Sequence, residues 1–198
     1  MTRVFLVSPA NCNGQRARWI LKKISKSELA QRLRRGEGVP LGEVFTFLSA
    51  LYFRGKLAYA RAFAKPPPGA AGVWIITPTA GLLPPEMAIR LSKLRGFARV
   101  PINKKNQLYR RSLRRDLRKL AAQAGPDCEM VLLGSIATGK YLDILTDGLG
   151  DRLKVPADFV GMGDMQRGAL LLRCVQDNRE LSYIEVAEIP DKQTSGRS

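Results

Sequence analysis

Val4-Phe5-Leu6-Val7-Ser8-Pro9-Ala10-Asn11-Cys12-Asn13-Gly14 opens the chain. A four-residue apolar, β-branched run stops at a proline and passes into a polar turn. That pattern predicts a buried strand followed by a loop, and the segment from Gln15 predicts a helix to about Ile24. The same grammar recurs twice. Val73 to Ile76 is a second buried strand closed by Thr77-Pro78, and Glu129 to Leu133 is a third that runs into Gly134. Helical stretches separate them. Leu41, Val44, Phe45, Leu48, Leu51 and Tyr52 fall on one apolar helical face, with Gly55 expected to interrupt it. Pro66-Pro67-Pro68-Gly69 ends that stretch.

Further along, Phe97 to Ile102 reads as a weaker strand, Asn106 to Ala124 as a helix, and Tyr141 to Leu145 as a short helix. Gly150 to Gly168 reads as loop. Ala169 to Leu172 and Tyr183 to Val186 flank the turn-like Asp177-Asn178 and predict a terminal hairpin, with a helix as the alternative for the first run. Alternation of this kind implies an α/β fold, a largely parallel sheet flanked by helices, here with a C-terminal β-hairpin. Residues 1–187 are expected to form a single domain and 188–198 a flexible tail. In such folds, sites gather at the C-terminal ends of the strands. Three loops should therefore converge: Ser8 to Gly14, Thr77 to Pro85, and Gly134 to Lys140.

Charge narrows the partners. The 198 residues carry 33 Lys and Arg against 17 Asp and Glu, a net charge of +16, with 45% hydrophobic residues. The apolar fraction supports a core, so this is no disordered basic tail. Excess positive charge repels itself and attracts phosphate backbones. It concentrates in two segments, Gln15 to Arg35 and Lys104 to Lys119. In the second, Arg111, Arg114, Arg115 and Arg118 stand together at helical spacing. Like charges at i, i+4 cost a few tenths of a kcal/mol each, so a helix bearing several suits a phosphate-facing surface. A solvated basic face is the simpler alternative.

There is no histidine. Ser-His-Asp and Cys-His nucleophile systems and His-ligated metals are therefore excluded. Cys12, Cys128 and Cys174 form no CxxC pair, and their odd number argues against a disulfide framework and for a reducing, cytoplasmic compartment. The first residues lack a signal-peptide pattern and no stretch is long enough to span a membrane. Neither a metal nor a cofactor is expected.

Three constellations are candidates for chemistry. Gly134-Ser135-Ile136-Ala137-Thr138-Gly139-Lys140 spells GxxxxGK between a strand and a helix, the context of an anion-binding turn, with Gly134, Ser135, Gly139 and Lys140 as its contacts. Tyr141 stands where a P-loop needs a Ser or Thr. Asn11 and Asn13 follow the first strand, where an amide can orient water or read a base edge; plain turn chemistry also suits them. Phe159 to Gly168 carries three glycines with Asp164 and Arg167 amid apolar residues, either a wedge at a site mouth or a local ion pair.

Taken together, the polar loop Ser8 to Gly14, the strand and loop Trp74 to Leu82, the strand and small-residue turn Met130 to Ala137, and the last loop Pro156 to Leu170 resemble in layout the uracil-DNA glycosylase superfamily. Gly161 to Gly168 stands where that superfamily carries a His-Pro-Ser signature, and its usual first-loop acid is missing. The resemblance implies hydrolysis of an N-glycosidic bond after base flipping, with DNA ahead of RNA. Asn11 or Asn13 would position water, Asp164 would be the acid-base group, and Arg167 and the basic helices would grip phosphates. Two other readings stand beside it: a non-catalytic DNA- or RNA-binding protein, and an enzyme on a small phosphorylated metabolite held by Gly134 to Lys140.

Overall fold

The computed structural model describes residues 1–136 and 139–189. Its centre is strand β1 (Arg3–Val7), followed by helices α1 (Gln15–Leu21) and α2 (Glu28–Arg34), the short strand β2 (Val39–Pro40) and the long helix α3 (Leu41–Phe63). Then come β3 (Val73–Thr77), β4 (Gly81–Leu83), β5 (Ala88–Ile89), α4 (Leu91–Arg99) and α5 (Gln107–Ala124). The chain finishes with β6 (Glu129–Leu133), α6 (Leu142–Leu149), β7 (Leu153–Pro156), α7 (Asp164–Gln176) and β8 (Tyr183–Glu185). The main sheet has the order β4-β3-β1-β6-β7-β8. Its four inner strands, β3, β1, β6 and β7, are parallel, while β4 and β8 run antiparallel at the edges. The fold is thus α/β with a mostly parallel sheet.

The period-two geometry of a strand explains why Val4 to Val7 is apolar throughout. Phe5 and Val7 point into a core built with α1 to α4 and α7, whereas Val4 and Leu6 point into a second core built with α5 and α6. Both faces of β1 are covered, and all four side chains are fully buried.

Four readings of the sequence are corrected. Phe97 belongs to α4, because Leu91, Leu94 and Phe97 recur at helical spacing and all are buried. Gly150 to Gly168 is not mainly loop: Leu153 and Val155 alternate into the second core as β7, and α7 begins at Asp164. Ala169 to Leu172 lies inside α7, whose Leu170, Leu171 and Cys174 share a buried face. The terminal strand pair is therefore β7 with β8, registered Val155 to Ile184, and a helix joins them. Asp177-Asn178 ends that helix: Asp177 N–H donates to Arg173 O at 2.8 Å and Asn178 adopts φ 48°. An Asn in the left-handed region serves a helix end as readily as a hairpin. Finally, α3 breaks at Ala50 (φ 45°, ψ −117°) and not at Gly55. Residues 190–198, and so most of the expected tail, lie outside the described residues.

Gly55 has a different use. A Cβ there would sit 2.7 Å from the Gly168 carbonyl oxygen, and one on Gly168 would sit 2.9 Å from the Tyr52 Cα. Helices α3 and α7 approach backbone to backbone at these two glycines. That approach places Tyr52 and Lys56 of one helix beside Asp164 and Arg167 of the other.

Candidate functional site

β1, β3 and β6 are parallel, so their C-terminal ends reach one edge of the sheet. The chain steps from β1 to β3 on one side and returns to β6 on the other, and strand order reverses across β1, the position where α/β sheets open a crevice. A cleft of about 550 Å³ lies there. Ser8 to Asn13 after β1, Pro78 after β3, and Ser135 and Lys140 after β6 all line it, with Tyr52 and Lys56 from α3 and Asp164 from α7.

Its floor is a lysine. Lys56 is 1% exposed, and its Nζ lies 2.7 Å from both the carbonyl oxygen and the Oγ of Ser8. The ring of Tyr52 is 4.3 Å from Nζ and that of Phe53 5.3 Å. Burial pushes the Lys56 ammonium down from 10.5 to about 7; Asp164 opposes the shift and Arg167 adds to it. Gly134 lets the end of β6 pass close to Ser8, where a Cβ would meet the Ser8 Cβ at 2.9 Å.

Two phenols also line the cleft, Tyr52 buried and Tyr141 half-buried. Tyr52 has no hydrogen-bond partner for its hydroxyl among the described residues, and burial pushes its phenol up to about 12 against the opposing pull of Arg167. Tyr141, at the start of α6, is raised by burial as well, with Tyr52 and Asp164 adding to the effect. Both phenols stay protonated donors at neutral pH.

The residues singled out from sequence divide among the cleft, the core and an outer face. Asn11 and Asn13 reach the rim of the cleft and are exposed. The Asn11 Oδ1 accepts the Asn13 N–H at 2.9 Å, so it closes a local turn. Ser135 and Lys140 line the cleft, and Gly139 turns the chain at φ +56° just before Lys140. Ala137 and Thr138 of the same motif lie outside the described residues. Asp164 lies at the cleft with its carboxylate exposed, 3.6 Å from Arg167 Nη1.

Arg167 is only 4% exposed. Its Nη2 donates to Phe159 O at 2.9 Å, and its Nε has no partner among the described residues. Enclosed in this way, and not among the residues that line the cleft, it presents little surface to a strand. Phe159 is fully buried and packs in the core rather than projecting as a wedge.

The arginines of α5 face outward. Arg114 pairs with Asp147 at 3.2 Å and Arg115 with Asp116 at 2.7 Å. Arg111 and Arg118 are exposed and have no carboxylate partner among the described residues. The N-terminal end of this helix adjoins the cleft. Asn106 caps it by accepting the Tyr109 N–H at 3.2 Å, and the Tyr109 hydroxyl donates to Lys140 O at 3.1 Å. Exposed Lys104 and Lys105 follow Pro101 and Ile102, which line the cleft, with only Asn103 between. The basic face of α5 therefore starts at the cleft mouth.

Lys56 was absent from the candidates read out of the sequence, yet a signal existed. It follows Tyr52 by four residues and falls on the apolar stripe of α3, where a lysine is out of place. Among the described residues no cluster of three His, Cys, Asp or Glu side chains is placed to hold a metal, and no helix is long and apolar enough to cross a membrane. The three cysteines are buried and unpaired. No family model, curated protein or solved structure matches the chain.

Proposed function

We propose that the protein is a nucleic-acid enzyme that takes one nucleotide unit of a strand, DNA first, into the cleft and hydrolyses its N-glycosidic bond. The observation that carries this reading is the pairing of a half-open, ligand-sized cleft with a basic helix that begins at its mouth. A cavity of about 550 Å³ suits one small ligand, whereas a non-catalytic binder needs only an open charged groove. A +16 chain supplies the attraction for a polyanion, and a flipped nucleotide is the part of a strand that fits a cleft of this size.

The geometry supports the following division of labour. Lys104, Lys105 and the outward arginines of α5 hold phosphates beside the mouth. Lys140 meets the phosphate nearest the extruded sugar. Tyr141 lines the cleft and offers ring surface to a base. At the floor, Lys56 as a free amine accepts a proton, with the Ser8 hydroxyl beside it as relay. Asn11 contributes its amide N–H groups at the rim, its oxygen being held in the turn.

The direct test is base release. Oligonucleotides carrying normal, deaminated and alkylated bases would be incubated with the protein and the free bases separated by chromatography. Release above a Lys56→Met control supports the reading; no release from any strand overturns it. The Ser135–Lys140 contribution keeps a phosphorylated metabolite as the second reading. Nucleoside monophosphates that bind at high salt, where strands dissociate, would favour that reading.

A further inference from the structure

We infer that Lys56 is an amine nucleophile, and that it forms a Schiff base with the C1′ aldehyde of an abasic deoxyribose presented in a DNA strand. The inference rests on reading the cleft as a nucleic-acid site, and it assigns the amine a covalent role that base hydrolysis does not require.

The geometry around Nζ carries it. A neutral amine has two N–H groups and one lone pair. The Ser8 carbonyl can only accept, so it takes one N–H at 2.7 Å. The Ser8 Oγ, also at 2.7 Å, takes the second and leaves the lone pair directed elsewhere, or gives its own proton to that lone pair and acts as a shuttle. Either arrangement keeps the nitrogen one proton exchange away from attack. No carboxylate bonds to it. The acid facing it, Asp164, is exposed and engaged with Arg167, and the other groups that face it are the Arg167 guanidinium and the rings of Tyr52 and Phe53. A desolvated amine with no ion-pair partner is the arrangement that frees a lysine for carbonyl chemistry. A lysine serving only to tie α3 to β1 would need the carbonyl bond alone, and would not need to line the cleft as Lys56 does.

The step balances without an oxidant or a cofactor. The Nζ lone pair forms the C–N bond to C1′ as the carbonyl π pair moves to oxygen. A proton passes from nitrogen to that oxygen through the Ser8 hydroxyl; a second proton, from solvent, lets the hydroxyl leave as water and gives a protonated imine. Water then adds back to release the aldehyde and the amine, or water takes the C2′ proton and the resulting enamine expels the 3′ phosphate with its bonding pair. Lys140 at the mouth meets the strand's negative charge in either outcome.

The test uses the full chain and an oligonucleotide with one abasic site, trapped by cyanoborohydride, which supplies the hydride that turns imine into stable amine. A covalent protein–DNA band is expected, with the modified peptide containing Lys56 and the trapping rate rising as pH passes through about 7. Mapping is done on the wild-type protein, so it does not depend on a variant's folding. Lys56→Arg and Lys56→Met, checked by circular dichroism, should lose the band by at least about tenfold. An adduct mapped to Lys104, Lys105 or Lys140, or no adduct, overturns the inference. Base release from intact strands is measured separately. Release without a trapped adduct sinks the nucleophile and leaves the hydrolytic reading standing; an adduct on Lys56 without release supports the nucleophile and removes that reading.

Discussion

Lys56 Nζ lies 2.7 Å from both oxygens of Ser8, joining the second half of the broken helix α3 to the end of the central strand β1. The cost of that placement is pH-dependent. Folded Lys56 releases its proton near 7, against 10.5 for the ordinary side chain. Below about 7 the penalty for burying it is complete. Between about 7 and 10.5 the unfolded chain binds a proton that the folded chain does not, so stability rises with pH, and above 10.5 the effect is gone. At ~1.4 kcal/mol per proton per pH unit, wild type should gain about 2 kcal/mol on Lys56→Met between pH 7 and pH 9. Urea unfolding of both proteins at the two pH values checks this. The change with pH is the readout, since the variant also strands the Ser8 oxygens. Parallel behaviour of the two proteins would show that Lys56 stays protonated.

Ala50 holds φ 45° and ψ −117°, a conformation that glycine adopts freely and alanine does not. Non-glycine residues held there cost on the order of 1–3 kcal/mol. The break sets off the half of α3 that carries Tyr52 and Lys56, both of which line the cleft. Ala50→Gly should raise stability by about 1 kcal/mol, or roughly 2–4 °C in Tm, after the extra chain entropy of glycine is subtracted. Ala50→Val should lower it. Thermal melts decide, and a lower Tm for Ala50→Gly would show that the break is unstrained.

The central strands were legible because each is an apolar run ended by a proline or glycine, and helix α5 because its leucines keep one register against a basic face. Helix α7 was hidden by two residues with double meanings. Gly168 breaks a helical pattern on paper but is required by the close approach to α3, and Asn178 suits a hairpin as well as a helix end. Helix α4 was hidden by its length, since Leu91, Leu94 and Phe97 give only three beats of the period. The cleft followed in part from strand order, which delivers Ser8, Pro78 and Ser135 to one edge. Lys56 did not follow, because it comes from the middle of a helix rather than a strand end. Its one mark was its place on the apolar stripe of α3, four residues after Tyr52. Asp164 and Arg167 were conspicuous as charges among apolar residues, yet the buried group without a carboxylate partner is the lysine.

Binding to DNA should weaken steeply with salt, and the outer face of α5 should account for part of the slope. Replacing Arg111, Arg114, Arg115 and Arg118 by Gln should reduce the slope of log K against log salt by about one for each phosphate no longer neutralised. Arg111 and Arg118, free of carboxylate partners among the described residues, should supply most of it as a double variant. Arg114 and Arg115 contribute less, because Asp147 and Asp116 already neutralise them in part. Gel shifts across a range of salt concentrations measure this. Unchanged affinity together with an unchanged circular dichroism spectrum would mean the face is merely solvated.

The last prediction concerns the two glycines that set the width of the cleft. A Cβ on Gly55 would meet the Gly168 carbonyl oxygen at 2.7 Å, and a Cβ on Gly168 would meet the Tyr52 Cα at 2.9 Å. Both obstacles are backbone, which cannot swing aside as a side chain can. Gly55→Ala or Gly168→Ala must therefore push α7 away from α3, at a cost of ~1–3 kcal/mol. The double variant should cost less than the sum, because one displacement relieves both clashes. Gly96 provides the contrast. It lies in α4, where a methyl group on its Cα would meet nothing within 4 Å, so Gly96→Ala should stabilise by up to about 1 kcal/mol through helix propensity alone. The displacement has a functional reading too. Tyr52 and Lys56 would move relative to Asp164 and Arg167, so abasic-site trapping by Gly55→Ala should fall even where urea unfolding shows the protein still folded. Full trapping in a destabilised Gly55→Ala protein would mean that the packing of α3 on α7 supports the fold but does not position the amine.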